Sequence, residues 1–202
     1  MNQEQIIIKN FELYKTQAAK LGAKGGSILK YVENNNERIM LAPASTKRDY
    51  TCCHPGGLVE HSLRVLQNAA KLRQVYNLTD SLAAQSVILC SLFHDIGKVG
   101  TASKEYYVDN TSDWHRDKLG VYYNVADRFQ HIPVSQLSLY TLSQNNVEID
   151  IDEWYAMSMV GSKGQKEELP VQGEPWISIV LSQAIKAACV QGKGKEKAIS
   201  VQ

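Results

Sequence analysis

Leu82-Ala83-Ala84-Gln85-Ser86-Val87-Ile88-Leu89-Cys90-Ser91-Leu92-Phe93-His94-Asp95-Ile96-Gly97-Lys98 is the stretch on which the fold turns. Its Leu82, Ala83, Val87, Ile88, Leu92 and Phe93 place apolar side chains nearly all round a helix, the pattern of a central, buried element. The expected helix is capped by Thr79 or Asp80 and runs to about Gly97. His94 and Asp95 close it. A carboxylate at the end of such a helix is costly unless something pairs with it. A divalent cation would pair with it, and the negative end of the helix dipole favours a cation there.

Working upstream, Leu58, Val65, Leu66, Ala69 and Leu72 make one apolar face of a helix from about Gly57 to residue 76. His61 lies in its first turns, on the inner face near Val65 and Leu72. Two imidazoles and a carboxylate suit zinc, iron, manganese or a similar ion. Adjacent helical residues point about 100° apart, so His94 and Asp95 can reach one ion at a helix end. The ordinary alternative is that a histidine on an apolar face is a satisfied core residue and that a His-Asp pair arises by chance. The flanking Pro55-Gly56-Gly57 and Ile96-Gly97-Lys98 favour a site.

Ile7, Phe11, Tyr14, Ala18 and Leu21 predict a first helix over 3–21, ended by Gly22-Ala23-Lys24-Gly25-Gly26. A short helix follows through Ile28, Leu29 and Val32. Residues 34–56, with three consecutive asparagines, Pro43 and Pro55, read as loop. Residues 98–113 read as loop with a small hairpin around Tyr106-Tyr107-Val108. Later helices are expected at 114–128, 135–145, 151–160 and 176–190. The class is therefore all-α, a helical bundle with room for a β-hairpin near 99–110. Residues 1–190 read as one domain and 191–202 as a flexible tail.

The chain of 202 residues carries a net charge of +1. That balance argues against a general nucleic-acid coat protein but leaves room for a local phosphate pocket. The N-terminal residues lack the basic and apolar regions of a signal peptide. The longest apolar run, Val87 to Phe93, is too short for a bilayer. A cytoplasmic protein without membrane contact is expected. Cys52, Cys53, Cys90 and Cys189 form neither a disulfide framework nor a C-x-x-C zinc motif, and buried or reduced thiols are the plain reading.

Gly56-Gly57-Leu58-Val59-Glu60-His61-Ser62-Leu63-Arg64-Val65 and Leu92-Phe93-His94-Asp95-Ile96-Gly97-Lys98 resemble the motifs of the HD-domain phosphohydrolase superfamily. Ala42-Pro43-Ala44-Ser45-Thr46-Lys47 is similar to small HD proteins of bacteriophages and bacteria, and to the HD part of some bacterial exoribonucleases. The resemblance is strongest over 42–100. It implies a helical core and metal-dependent hydrolysis of phosphate esters, commonly nucleotides, cyclic nucleotides or oligonucleotides. His61, His94 and Asp95 then become the metal ligands, and a metal-activated water attacks phosphorus. Lys98 is placed to meet a phosphate, as are Lys47, Arg48 and His54 in or beside the preceding loop. His115 and His54 are candidate proton donors to the leaving group. Trp114-His115-Arg116-Asp117-Lys118 either stacks a base and holds phosphate or starts a helix.

The chain departs from the superfamily pattern on its late helix, Ile179-Val180-Leu181-Ser182-Gln183-Ala184-Ile185-Lys186. Ile185 stands where the family has a further aspartate, and Ser182 where it often has a histidine. The extra histidines of two-metal members are missing around Gln136 and Gly161-Ser162, so one divalent ion (Mn, Mg, Fe, Zn or similar) is expected rather than two. Asp127, Asp150, Asp152 and His115 are candidate fourth ligands; Asp150 and Asp152 also read as caps of the Trp154 helix. Two functions remain open. One is a metal-dependent phosphohydrolase acting on nucleotides or related phosphate esters. The other is a degenerate HD protein that binds a nucleotide or a protein partner without turnover. A di-iron oxygenase needs more ligands than the chain offers.

Overall fold

The computed structural model describes residues 2–78, 81–161, 172–193 and 199. In chain order the helices are α1 Gln3–Ala19, α2 Ile28–Asn34, α3 Asn36–Leu41, α4 Gly57–Val75 and α5 Ser81–Phe93. After a 3₁₀ turn at Ile96–Val99 come strand β1 Tyr107–Asp109, α6 Asp113–Leu119 and strand β2 Tyr123–Val125. A 3₁₀ turn at Asp127–Phe129 leads to α7 Val134–Gln144, α8 Ile151–Ser158 and α9 Trp176–Gln191. The result is a predominantly helical bundle with a small two-stranded antiparallel sheet.

Local chemistry explains most of these boundaries. Asn2 and Gln5 form a reciprocal capping box on α1, and Asp150 and Glu153 do the same on α8. Asp150 is thus a cap, as expected, while Asp152 sits in the first turn. α4 and α5 are the centre: α4 packs most extensively on α9 and α5. Leu89, Cys90, Leu92 and Phe93 of α5 are buried, in keeping with the all-round apolar pattern. Tyr14 of α1 packs edge-on against Phe93 and donates its hydroxyl to the Leu92 carbonyl at 3.1 Å. That bond satisfies one of the carbonyls a helix C-terminus leaves without an internal partner.

Four expectations need correction or relocation. Residues 34–56 are not all loop: Asn36–Leu41 is helical. Ile39 is fully buried there, and that packing overrides the weak helix preference of the asparagines. α5 stops at Phe93 rather than near Gly97, and the chain tightens into the 3₁₀ turn. The helix expected over 114–128 is broken at Gly120, which adopts φ 62°. Its second half becomes β2, because pairing with β1 supplies hydrogen bonds that periodicity alone does not reveal. The hairpin is consequently not confined to 99–110; α6 stands between its two strands. The expected cap at Thr79 or Asp80 and residues 194–198 and 200–202 of the tail lie outside the described residues, while Ile199 is buried and its N–H donates to Asn10 Oδ1 at 2.9 Å.

Close approach fixes the turn that carries Lys98. A Cβ on Gly97 would lie 2.8 Å from the Ser138 nitrogen and the Val134 oxygen, both backbone atoms of α7. Only glycine lets α7 press this closely, and the Gly97 N–H then donates to Ser138 Oγ at 2.9 Å.

Candidate metal centre

α4 brings His61, and the end of α5 brings His94 and Asp95, to one point inside the bundle. One ligand atom from each lies within 4.8 Å of the others, and all three residues are buried. The imidazole rings sit with centroids 5.5 Å apart. His94 Nε2 stands 3.6 Å from Asp95 Oδ2, too long for a hydrogen bond.

The hydrogen bonds of His94 decide its tautomer. Its Nδ1 faces the Ser91 carbonyl at 3.0 Å. A carbonyl only accepts, so Nδ1 carries the proton and Nε2 presents a lone pair, the arrangement a metal-ligating histidine needs. His94 Nε2 and His61 Nδ1 are both buried without a hydrogen-bond partner. Two orphaned buried nitrogens beside a buried carboxylate would be costly in a purely structural core. They fit a divalent ion, with two imidazole donors and one anionic oxygen.

The electrostatics agree. Burial, then the neighbouring His94, pushes the His61 imidazole down from its ordinary 6.5 to about 3. Burial lowers His94 as well. Burial alone would raise the Asp95 carboxyl, but Lys98 and the two histidines outweigh it and hold it well below the usual range. At neutral pH the site therefore offers two neutral imidazoles and a carboxylate, the protonation states that bind metal.

A stability prediction follows for the metal-free protein. The unfolded chain takes up protons on these histidines near pH 6.5, whereas the folded His61 resists until about 3. Both folded pKa values are depressed, so the stability they contribute is present above pH 6.5 and is lost as pH falls toward 3. His61 contributes a slope of up to about 1.4 kcal/mol per pH unit in that window, and His94 adds to it in the same direction. Urea midpoints measured in chelator from neutral to acid pH should show it, and His61→Gln should flatten it. An unchanged slope in the variant would show that His61 does not resist protonation.

Lys98 leaves the 3₁₀ turn toward the triad. Its ammonium bonds Asp95 Oδ2 at 2.5 Å and the Ala44 carbonyl at 2.7 Å. Tyr107 of β1 donates to the same Ala44 carbonyl at 3.4 Å. Beyond Lys98 opens a cleft of about 720 Å³ between α3 and the hairpin, lined among others by Arg38, Pro43, Pro55, Tyr107 and Tyr123.

The remaining candidates are dispersed. His54 joins a second group with Cys52 and Glu60, whose ligand atoms also lie within 4.8 Å of one another. Glu60 is bonded there by the Arg64 guanidinium at 2.5 and 3.1 Å, which balances its charge. Lys47 lies over the Tyr50 ring and Arg48 is exposed beside Gly120. His115 is exposed on α6, its Nδ1 2.7 Å from Ser112 Oγ and its ring edge-on to Trp114. Asp127 is exposed and accepts from Gln130. Ile185 of α9 packs partly buried against the main core. Cys189, one turn later on the same helix, feels the charges of both Lys98 and Asp95. Tyr107 and Tyr123 went unforeseen; the only signal was the doublets Tyr106-Tyr107 and Tyr122-Tyr123 on either side of α6.

The family model of the HD domain matches residues 58–140, a span that contains His61, His94 and Asp95. The chain carries an HD domain. Its clustered motif residues supply the metal-dependent phosphohydrolase chemistry of that family in general. Among the described residues the cluster at its centre holds three potential ligands, a partial cluster consistent with an incomplete HD ligand set. Neither a curated protein nor a solved structure matches the chain. No described helix is long and apolar enough to cross a membrane.

Proposed function

We propose that this HD protein hydrolyses nucleotides or closely related small phosphate esters, with one divalent ion held by His61, His94 and Asp95. The observation that carries the reading is Lys98, whose ammonium touches Asp95 and also lines the adjacent cleft. A bound ion would supply Lewis acidity and an activated water. The chain's own residues would do the rest. Lys98 has three donors, and two are engaged by Asp95 and Ala44. The third is available to a phosphate oxygen, where it would offset the charge that builds as the ester bond breaks. The His94 bond to Ser91 keeps the imidazole aimed at the centre while substrate comes and goes.

Lys98→Ala should retain bound metal, because none of the three ligands is removed. It should raise KM or lower kcat/KM by roughly 10- to 100-fold, the worth of one charge-assisted hydrogen bond. Metal content by mass spectrometry and initial rates on a nucleotide panel check both halves. An unchanged kcat/KM would remove Lys98 from the substrate site. A second reading, nucleotide binding without turnover, draws on Ile185 standing where the superfamily has an aspartate. Absence of hydrolysis with any divalent ion, alongside retained nucleotide binding, would establish it instead.

A further inference from the structure

The cleft beyond Lys98 is built in an order that selects a kind of molecule. Its floor is the Lys98 ammonium, bonded to Asp95 of the metal triad. One wall comes from the hairpin. The register pairs Tyr107 with Val125 and Asp109 with Tyr123, so strand alternation puts Tyr107, Asp109 and Tyr123 on one face. The Tyr107 and Tyr123 rings lie 6.1 Å apart at 48°, and both are half-buried rather than sealed in the core. Tyr106, which also lines the cleft, meets Tyr107 edge-on at 4.9 Å and stacks on Phe129 at 5.6 Å. The facing wall is apolar and stiff, formed by Leu41, Ala42, Pro43 and Pro55. At the rim stand three exposed carboxylates, Glu37, Glu105 and Asp109. Among the described residues the one other cation lining the cleft is Arg38, which donates to the carbonyls of Val99 and Lys104 and lies 3.8 Å from Glu105.

The cleft is thus cationic at the floor, aromatic along one wall and apolar along the other, and anionic at the mouth. We infer that it is a base subsite: it takes the heterocycle of a nucleoside monophosphate whose phosphate lies at Lys98. The inference rests on the hydrolytic reading of the triad and names the substrate class for it. A planar ring fills the space between the tyrosines and the proline wall. Exocyclic amino groups meet the rim carboxylates. A triphosphate tail or a continuing nucleic-acid strand would have to leave past those same carboxylates, which repel it.

The test uses the full chain loaded with manganese. Equilibrium binding and initial rates are measured for adenosine monophosphate, ribose 5-phosphate and adenosine triphosphate. The expected result is binding of the monophosphate roughly 10- to 100-fold tighter than ribose 5-phosphate, the worth of stacking one base, and weaker binding of the triphosphate. Tyr123→Ala should collapse the ratio between the first two ligands, while Tyr123→Phe keeps it. Leu41→Ala, at an exposed position on the facing wall, should lower the same ratio and guards against misfolding of the hairpin variant. Equal affinity for adenosine monophosphate and ribose 5-phosphate, or a ratio that survives both alanine variants, would overturn the subsite even if phosphate esters are hydrolysed. A preference that depends on Tyr123 without hydrolysis of any ester would uphold the subsite and overturn the hydrolytic reading.

Discussion

Asp95→Ala should eliminate metal binding and with it hydrolysis, the largest loss expected of any single change in this protein. Asp95 is the only anionic member of the triad, and His61 and His94 alone would leave a divalent ion with no charge partner. Lewis-acid assistance to phosphoryl transfer is worth several kcal/mol, so kcat/KM should fall by roughly 10³-fold or more. The fold is affected as well. Asp95 pairs with the Lys98 ammonium, whose side chain is 16% exposed. Removing the carboxylate leaves a largely buried cation with only the Ala44 carbonyl, a defect that should cost about 1–3 kcal/mol. Metal content, turnover and melting temperature of the variant check the three statements together. Wild-type metal content in the variant would sink the assignment of Asp95 as a ligand.

Ile185→Asp should move metal affinity and metal-free stability in opposite directions. Ile185 lies on α9 one turn before Cys189, whose thiol feels Lys98 and Asp95, and α9 packs extensively on α4, which carries His61. A carboxylate here would add a second negative ligand beside Asp95 and bind the ion roughly tenfold tighter or better. Without metal the same carboxylate replaces an apolar side chain packed against the core, at a cost of about 2–4 kcal/mol. The variant should therefore melt well below the wild type in chelator and recover when manganese is added, by linkage of binding to folding. Lower stability without recovery would show that Ile185 does not face the ion. Unchanged stability would show that its side chain lies nearer solvent than its packing indicates.

Much of this was legible before any coordinates. The all-round apolar character of residues 82–93 correctly named the central helix, since a helix with no polar face has nowhere to lie but inside. That pattern exposed His94 and Asp95, and the apolar face of the 57–76 helix exposed His61, as polar groups whose burial needed a reason. Other features were hidden. Asn36–Leu41 is helical because Ile39 finds a place in the core, a fact its neighbours in sequence do not announce. The interruption of 114–128 depends on β1, a strand on the far side of α6.

The amino-acid sequence by itself determined the helical class and the main core helices, and it marked His61, His94 and Asp95 as polar residues that could hold an ion. These follow from local periodicity and from the cost of burying charge, which act wherever the chain goes. Tertiary structure alone decided that Lys98 shares the Ala44 carbonyl with Tyr107, and that Tyr107 and Tyr123 form one wall of a cleft. It also placed His54 with Cys52 and Glu60 and left His115 exposed on α6. These relations join residues far apart in the chain. Strand register and helix packing set them, and neither leaves a periodic trace in the sequence that would reveal which distant side chains meet.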